Sequence, residues 1–456
     1  MLFRAATPAS YCRRNKEYGS YAASSQQFAP LAVGTRSSPP LSSKLFARER
    51  QDCRWAFWYF VAYVCQLAVP PQTAPNTTPK LLAVVLSEGL DQPLLPLSGA
   101  TTQIFSLVAQ HHPTARLLVR WLMTSSDARW FMRLQDVTDP HATVGDPMNS
   151  PTRAWATSAA ANLSLSLATL DWLYPGRIAG VCIEAMFGGE WFMTAPFSNS
   201  SMKADYSDLM QAEFCRSEDA VPNSVDGGVS CTLPTAQQRD TPTLGNALLQ
   251  WNTPSAPSAR SFRFNRFLSR TVAGAIGEIT AAIKEVTGGA AFTFAFYGYL
   301  LDLSDTRVTG SGHTALGTLL REPSLDAIAS PYQYSVAARS PDGAFTVHGP
   351  ADSAALAGKL WIAEDDSRTD LADLGEWLRE TPTDWQTVSL LRRNMLTSLL
   401  RGQGVYWLDL ESRGWFGRTD NATTVASTSA IWGNASQVLR QWSRLLADSD
   451  LRRQVS

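Results

Sequence analysis

Two glutamates stand out because each follows an apolar run in surroundings that suit acid and base chemistry. Glu364 comes directly after KLWIA, which places its carboxyl at the mouth of a strand bundle, with Arg368 near enough to keep it ionised. Glu190 lies in a Gly-Gly-Glu-Trp turn beyond RIAGVCI, where the apolar Trp191 would raise the pKa of the carboxyl. One acid that donates a proton and one carboxylate that attacks are the groups that glycoside cleavage requires.

Each glutamate also has a purely structural interpretation. Glu190 is then an exposed turn residue, and Glu364 a salt-bridged strand end or part of a helix N-cap. Glu184 ends the same apolar run that precedes Glu190 and is a rival for its role. His313 either lines a site or satisfies a loop hydrogen bond.

Aromatic and basic side chains near the same strand ends are candidates to hold a sugar ring. Flat aromatic faces suit the C–H faces of sugars, although aromatic residues also fill cores. The predicted substrate-binding residues are Arg120, Tyr297, Tyr332, Trp407 and Trp415.

The elements that carry these residues alternate between short apolar runs and amphipathic helical stretches. Seven strands are predicted, at residues 81–86, 115–122, 177–183, 291–297, 325–330, 359–363 and 404–410. Continuous apolar runs are typical of parallel strands buried on both faces. Helices are predicted from Ser150 and Pro151 to Leu170, over 264–286 before Gly288 and Gly289, and after a Thr383/Gln386 capping box.

This alternation predicts an α/β fold, a (β/α)8 TIM barrel with an incomplete or divergent first strand. A doubly wound sheet fits seven strands nearly as well. Carboxylates and aromatics that cluster after several strands favour the barrel, because barrel enzymes build their sites at the carboxyl ends of the strands.

Composition excludes several function classes. The 456 residues carry 39 basic and 40 acidic side chains, so clustered excess charge for binding nucleic acid is lacking. The sequence lacks a GxSxG or Walker motif, and the segment from Gly310 to Ala315 only loosely resembles a dinucleotide turn. The cysteine and histidine spacings do not suggest a metal site, and we expect no cofactor.

The first 75 residues predict a location rather than a chemistry. Residues 1–50 form a basic, Ser-rich leader, and the apolar stretch at residues 55–69 predicts an internal signal or membrane anchor. The alternatives are a buried strand or helix, or an error in the predicted start of the chain. Five N-glycosylation acceptors (Asn76, Asn162, Asn199, Asn421 and Asn434) favour a secreted or membrane-anchored glycoprotein. Cys215 and Cys231 bracket a polar loop that a disulfide would close.

About half of the chain resembles the glycoside hydrolase family 42 type, the β-galactosidase-like barrels. The segments that carry the resemblance include RIAGVCIEAMFGGEWF, PSLDAIASPYQY, GKLWIAEDDSRT and GVYWLDL. In such a family the acid/base residue ends strand four and the nucleophile ends strand seven. The resemblance therefore implies Glu190 as acid/base and Glu364 as nucleophile. Gly189 stands where that family commonly has Asn, which puts recognition of the sugar 2-hydroxyl in doubt.

These observations predict a leader at residues 1–50, a signal or anchor segment with its linker at 51–75, a barrel at 76–435 and a C-terminal helix or tail at 436–456. The expected function is a retaining glycosidase acting on β-glycosides. The alternative is a non-catalytic, membrane-tethered carbohydrate-binding protein on a degenerate barrel. A third possibility, a doubly wound binding domain without a sugar site, would have an open sheet.

Overall fold

A computed structural model gives the fold of most of the chain. It describes residues 27–31, 61–62, 81–89, 105–106, 108–110, 116–125, 127–139, 141–194, 202–220, 231–240, 256–301, 308, 310–344, 346–409, 413–418 and 421–447.

Strands and helices alternate through the described ranges. The strands are β1 Gln27–Leu31, β2 Val61–Ala62, β3 Leu81–Gly89, β4 Arg116–Thr124, β5 Phe131–Asp136, β6 Thr143–Asn149, β7 Ile178–Glu184, β8 Met202–Lys203, β9 Phe292–Phe296, β10 Ala327–Pro331, β11 Leu360–Asp365 and β12 Gly404–Trp407. The α-helices are α1 Arg153–Leu173, α2 Asp208–Arg216, α3 Ala236–Asp240, α4 Ala256–Val286, α5 Leu316–Leu319, α6 Val336–Arg339, α7 Ala351–Leu356, α8 Asp384–Leu400 and α9 Ala422–Ala447.

The large sheet is parallel except at one edge. Its order is β1-β3-β4-β7-β9-β10-β11-β12-β2, and only β1 runs antiparallel to its neighbour. It curls into a half-barrel with helices packed outside, which confirms the predicted α/β class. All seven predicted strands are present, and each begins within two residues of its expected start. The short β2 precedes β3 in the chain, so β3 is the second parallel strand in chain order among those described.

The strands read as continuous apolar runs because both faces of the sheet are covered. Every residue of β7, β9, β10 and β11 is buried. Val181 and Ile183 belong to the core shared with α1 and α4, whereas Cys182 between them belongs to the core inside the curl. Alternation along a strand therefore sends every second side chain to the inner face.

A smaller antiparallel sheet has the order β6-β5-β8. Its strands β5 and β6 belong to the connection between β4 and α1, and β8 follows β7 in the chain. Periodicity of the sequence did not predict this sheet. Its strands are short and interrupted by bulges, as the register shift between Phe131 and Arg133 shows.

The predicted helix boundaries are close to those observed except at the start of α4, which begins at Ala256, eight residues before the expected residue 264. The helix expected to start at Ser150 and Pro151 begins at Arg153, with Thr152 as its N-cap. The longest helix, α4, ends before Gly288 and Gly289, both of which have positive φ angles. Thr383 is the N-cap of α8 as expected, but its hydroxyl donates to Gln386 Oε1, 2.7 Å away, instead of accepting from the backbone.

Cys215 and Cys231 form a disulfide, with 5.4 Å between their Cα atoms. The bond ties the end of α2 to the segment before α3. Cys182 is a free, buried thiol.

Most of the predicted leader and anchor lies outside the described residues. Within residues 1–50 only β1 is described, and within 55–69 only Val61 and Ala62, which pair in parallel with β12. Among the described helices, none is both long and apolar enough to cross a membrane.

We expect Gly180→Ala to destabilise the protein, because a Cβ at Gly180 would lie 2.6 Å from the Phe292 carbonyl oxygen on the paired strand β9. Overpacking of this kind costs about 1–3 kcal/mol. Gly274→Ala is the matched control, since Gly274 lies in α4 with no atom within 4 Å of an added Cβ, and we expect a gain of about 0.5–1 kcal/mol. Urea unfolding of both variants measures the difference. Equal stabilities would contradict the close strand packing.

Candidate active site

The candidate site is built on strands that are distant in sequence and adjacent in the sheet. In the β4–β7 ladder Leu122 pairs with Glu184, and in the β11–β12 ladder Glu364 pairs with Tyr406. Arg120 lies on the same inner face of β4 as Leu118, since the two are two positions apart along the strand. The same parity directs Glu184 and Glu364 inward, so the curl of the sheet brings these side chains together.

Arg120 joins the two strand-borne glutamates. Its Nε donates to Glu184 Oε1, and its Nη1 donates to Glu364 Oε2 over 2.7 Å. The Tyr406 hydroxyl donates to the same oxygen of Glu364 and lies 3.4 Å from Arg120 Nη1. Arg120, Glu184 and Glu364 are all at least 95% buried. The guanidinium lies over the Phe296 ring, 4.8 Å from its centroid, so the ion pairs are fixed among packed side chains.

Glu190 is held in a tight turn after β7. Gly188, Gly189 and Trp191 all have positive φ angles, a conformation that non-glycine residues adopt rarely. The Trp191 indole donates to the Ile183 carbonyl over 2.9 Å, which anchors the turn to the end of β7. Glu190 itself is half-buried, and the Tyr299 hydroxyl donates to its Oε1 over 2.9 Å.

His313 supports Glu190 from behind. Its Nδ1 accepts a hydrogen bond from the Gly298 backbone N–H at 3.1 Å, so the proton of the neutral ring is on Nε2. That Nε2 then donates to the Glu190 carbonyl at 3.0 Å. Burial lowers the pKa of His313 to about 3, and the ring is stacked on Phe192 at 4.2 Å. His313 is therefore a neutral donor that fixes the turn.

The presence of glycine at position 189 is explained by its immediate surroundings. A Cβ there would lie 3.2 Å from Glu184 Oε2, and the φ angle of 74° also disfavours any other residue. The resembling family commonly has Asn at this position, but here the Glu184 carboxylate occupies the space that such a side chain would enter.

It is energetically costly for the carboxyl groups of Glu184, Glu190 and Glu364 to be ionised at the same time. Burial raises the pKa of Glu190 well above its ordinary value, the negative charge of Glu364 raises it further, and the Tyr299 hydrogen bond opposes the shift. Burial also raises the pKa of Glu364 to about 7, against the opposing effects of Arg120 and Tyr406. The guanidinium of Arg120 contacts two of the three carboxyls, Glu184 and Glu364. The raised pKa values favour the protonated forms of Glu190 and Glu364.

Asp366 forms a second ionic cluster two residues after Glu364. Arg339 Nη1 and Arg368 Nη1 donate to its two carboxylate oxygens over 2.5 and 2.8 Å, and these cations keep its pKa below the ordinary value although burial acts in the opposite direction. The expected partnership of Arg368 with Glu364 is therefore corrected. Arg368 pairs with Asp366, and the cation on Glu364 is Arg120.

The structure brings together three of the predicted site residues. Arg120 contacts Glu364 directly, and both of their charges act on the pKa of Glu190. Sequence reasoning did not include Tyr299 and Tyr406 among the site residues. It left His313 open between lining a site and satisfying a loop hydrogen bond, and the structure shows hydrogen bonds to the Glu190 turn and to Gly298. A signal for Tyr299 was present, because it follows β9 by three residues in the segment AFYGY.

The two predicted sugar-binding tyrosines have other contacts in the structure. The Tyr297 hydroxyl donates to the Gly312 carbonyl over 2.7 Å, and the Tyr332 hydroxyl is 3.1 Å from Ser398 Oγ. Both rings are fully buried. We therefore do not include them among the groups proposed to contact a substrate.

The two predicted sugar-binding tryptophans are also in the core. Trp407 is stacked on Phe416, with 5.8 Å between ring centroids. The guanidinium of Arg368 lies 4.5 Å from the centroid of Trp415. Both indoles are at most 1% exposed, so they too support the strand ends by packing.

Within the described ranges, no group of three or more His, Cys, Asp and Glu side chains is arranged to hold a metal ion. The groups at the site are instead a half-buried carboxyl with a raised pKa and a buried carboxyl held by a cation. Such a pair can transfer a proton and attack an electrophilic carbon.

Comparison with solved structures finds similar folds among glycoside hydrolases. The catalytic domain of a β-amylase from Paenibacillus polymyxa matches 90% of this chain and 97% of its own, with 11% identity and a TM-score of 0.51. A β-galactosidase from the psychrophilic Marinomonas ef1 matches 80% of this chain and 55% of its own (10% identity, TM-score 0.44), and an exo-β-agarase 75% and 44% (11% identity, TM-score 0.40). This chain thus spans about half the length of the last two.

No protein-family model matches the sequence, and no curated protein matches it. The similarity to the β-amylase domain shows a shared fold, an α/β architecture like that of TIM-barrel glycosidases.

We expect Glu364→Gln to stabilise the fold increasingly as the pH rises from about 4.5 to about 7. In this window Glu364 is ionised in the unfolded chain but mostly protonated in the folded protein, because folding raises its pKa from 4.5 to about 7. Above it the ionised side chain costs on the order of 3 kcal/mol, which the amide avoids. Urea unfolding across this range measures the difference from wild type, with the exposed Glu285→Gln as control. A gain independent of pH would contradict the shifted pKa.

Proposed function

We propose that the protein is a retaining glycoside hydrolase acting on β-glycosides, with Glu190 as acid/base and Glu364 as nucleophile. The observation that carries the proposal is the contrast between the two carboxyls. Glu364 is held by Arg120 and Tyr406, whereas the Glu190 carboxyl is half-buried and hydrogen-bonded by the neutral Tyr299. Environments that differ in this way separate the roles of two nearby acids.

In the first step, Glu190 protonates the glycosidic oxygen while a Glu364 oxygen attacks the anomeric carbon. The bond to the leaving group breaks, the leaving group departs as an alcohol, and a covalent glycosyl-enzyme forms. Arg120 and Tyr406 hold Glu364 in place for the attack.

In the second step, Glu190 removes a proton from water, and the water oxygen attacks the same carbon. The ester to Glu364 breaks, and the sugar leaves with its original anomeric configuration. Loss of the negative charge on Glu364 in the intermediate lowers the pKa of Glu190, because that charge is one of the causes that raise it. The acid of the first step thereby becomes the base of the second.

Strand order supports this assignment. Among the described parallel strands, counted along the chain, β7 is the fourth and β11 the seventh. These are the strands that carry the acid/base and the nucleophile in the family 42 type. The proposal therefore includes a complete (β/α)8 barrel of that type, and a secretory or membrane-anchored location drawn from residues 55–69 and the acceptor asparagines.

We expect Glu364→Gln and Glu190→Gln to lose activity in different ways on a panel of aryl β-glycosides. Without its nucleophile, the first variant should be about 10²–10⁴-fold slower on every substrate. The second should form the glycosyl-enzyme at a near-normal rate from dinitrophenyl glycosides, whose leaving group needs no proton, and fail on poor leaving groups.

Glu285→Gln is the matched control, since this exposed carboxyl lies on α4. Proton NMR of the first product reports the anomeric configuration. Inversion, or unchanged turnover by Glu364→Gln, would refute the retaining mechanism. Binding of sugars by a wild type that hydrolyses none of them would favour the non-catalytic alternative.

We expect a bell-shaped pH dependence of kcat/KM. Activity rises as Glu364 ionises with a pKa of about 7, and it falls at higher pH as Glu190 loses its proton. Tyr299→Phe removes a hydrogen bond that lowers the pKa of Glu190, so the alkaline limb should move to higher pH while the acid limb stays in place. A shift of the acid limb alone would contradict the assignment.

A further inference from the structure

One tryptophan near the site keeps a large part of its surface open. Trp377 is 49% exposed in the loop of residues 366–383 that joins β11 to α8. This loop contains only turns, and connections of such length without regular structure are uncommon unless they serve a function. Among the described residues, the other exposed tryptophans, Trp172 and Trp385, lie on helices.

The exposed ring is held in place. Its centroid is 5.3 Å from that of Tyr334, at 48° between planes, and the guanidinium of Arg368 lies 5.6 Å from it. Residues before and after Trp377 in sequence are also anchored. Glu376 accepts two hydrogen bonds from Arg413 (2.9 and 3.1 Å), and Arg379 donates to the Asp370 carbonyl. An open aromatic face that is fixed in advance loses little conformational freedom when a ligand covers it.

The backbone next to the ring is in an unfavourable conformation. Leu378 has a φ angle of 60°, which a leucine adopts only where the surroundings enforce it. Strain of this kind persists only where the surrounding structure over-determines it, and it clusters at ligand-binding and active sites. In this loop the neighbouring side chain is Trp377.

A short chain of contacts connects this ring to the nucleophile. Asp366 follows Glu364 by two residues, and the Tyr334 hydroxyl donates to Asp366 Oδ2 over 3.1 Å. Arg339 lies under the Tyr334 ring at 4.8 Å and also pairs with Asp366. The position of Tyr334, and with it that of Trp377, is thus set by the strand end that carries Glu364.

We infer that Trp377, together with Tyr334, forms an aromatic subsite for a second sugar ring, next to the ring that is cleaved. The ligand class is an oligosaccharide of at least two pyranose units, with the C–H face of one unit stacked on the open indole. The inference rests on the proposed glycosidase function and specifies its substrate as a saccharide chain rather than a simple glycoside.

Steady-state kinetics on two kinds of substrate tests the subsite. A monoglycoside with a small leaving group, the glycosyl fluoride, occupies only the position between the carboxyls, whereas di- to pentasaccharides of the same sugar also reach Trp377. We expect Trp377→Ala to lower kcat/KM for oligosaccharides about tenfold through KM, with the monoglycoside changed less than about twofold. Trp377→Phe should retain most of the activity because it keeps a flat ring. Trp385→Ala and Trp172→Ala are controls that remove exposed indoles elsewhere.

Binding provides a readout that is independent of turnover. Titration of Glu364→Gln with the same oligosaccharides should change the indole fluorescence, and the Trp377→Ala, Glu364→Gln double variant should bind about tenfold more weakly. A wild type that hydrolyses oligosaccharides with Trp377→Ala equal to Trp385→Ala would overturn the subsite alone. A wild type that neither hydrolyses nor binds any saccharide would overturn the proposed function as well. Matched melting temperatures show that the variants are folded.

Discussion

The site depends on one guanidinium, that of Arg120, which binds glutamates on two different strands. Arg120 binds Glu184 through Nε and Glu364 through Nη1, and so it links β4 to β7 and, across the interior, to β11. A guanidinium buried away from water needs carboxylate partners, and Glu184 and Glu364 provide them here. The spacing of the strand ends is therefore fixed by the same contacts that keep Glu364 partly ionised.

Glu184 explains why the second reactive carboxyl lies outside a strand. It occupies the inner position at the end of β7, where its carboxylate is engaged with Arg120. Burial raises the pKa of Glu184 and the ion pair with Arg120 opposes that shift, so this carboxyl is engaged with the guanidinium of the neighbouring strand. Glu190, six residues later, lies in a turn where the Tyr299 hydroxyl donates to its carboxyl. In the proposed mechanism the turn therefore supplies the acid.

Much of this arrangement was predictable from the sequence, and the failures have a common cause. The apolar runs gave the seven strands, and Glu364 at the end of KLWIA gave the carboxyl end of β11. The faces taken by the aromatic rings could not be inferred from local apolarity, and Tyr297, Tyr332, Trp407 and Trp415 are all buried in the structure. Along β9 the alternation of Phe with Thr293 and Ala295 decides the face. Phe292, Phe294 and Phe296 face the interior, so Tyr297 falls on the helix side and Tyr299 on the inner side.

The long-range partners were beyond the reach of any local pattern. Arg120 and Glu364 are 244 residues apart, and Tyr299 and Glu190 are 109 apart. What joins them is strand order, which a sequence fixes only through the summed burial of whole strands. Once that order is set, alternation along each strand directs Arg120, Glu184 and Glu364 inward without further specification. The chemistry of the site is therefore a consequence of sheet topology, and its one departure from strand geometry, the Glu190 turn, is the part that needs glycines with positive φ angles.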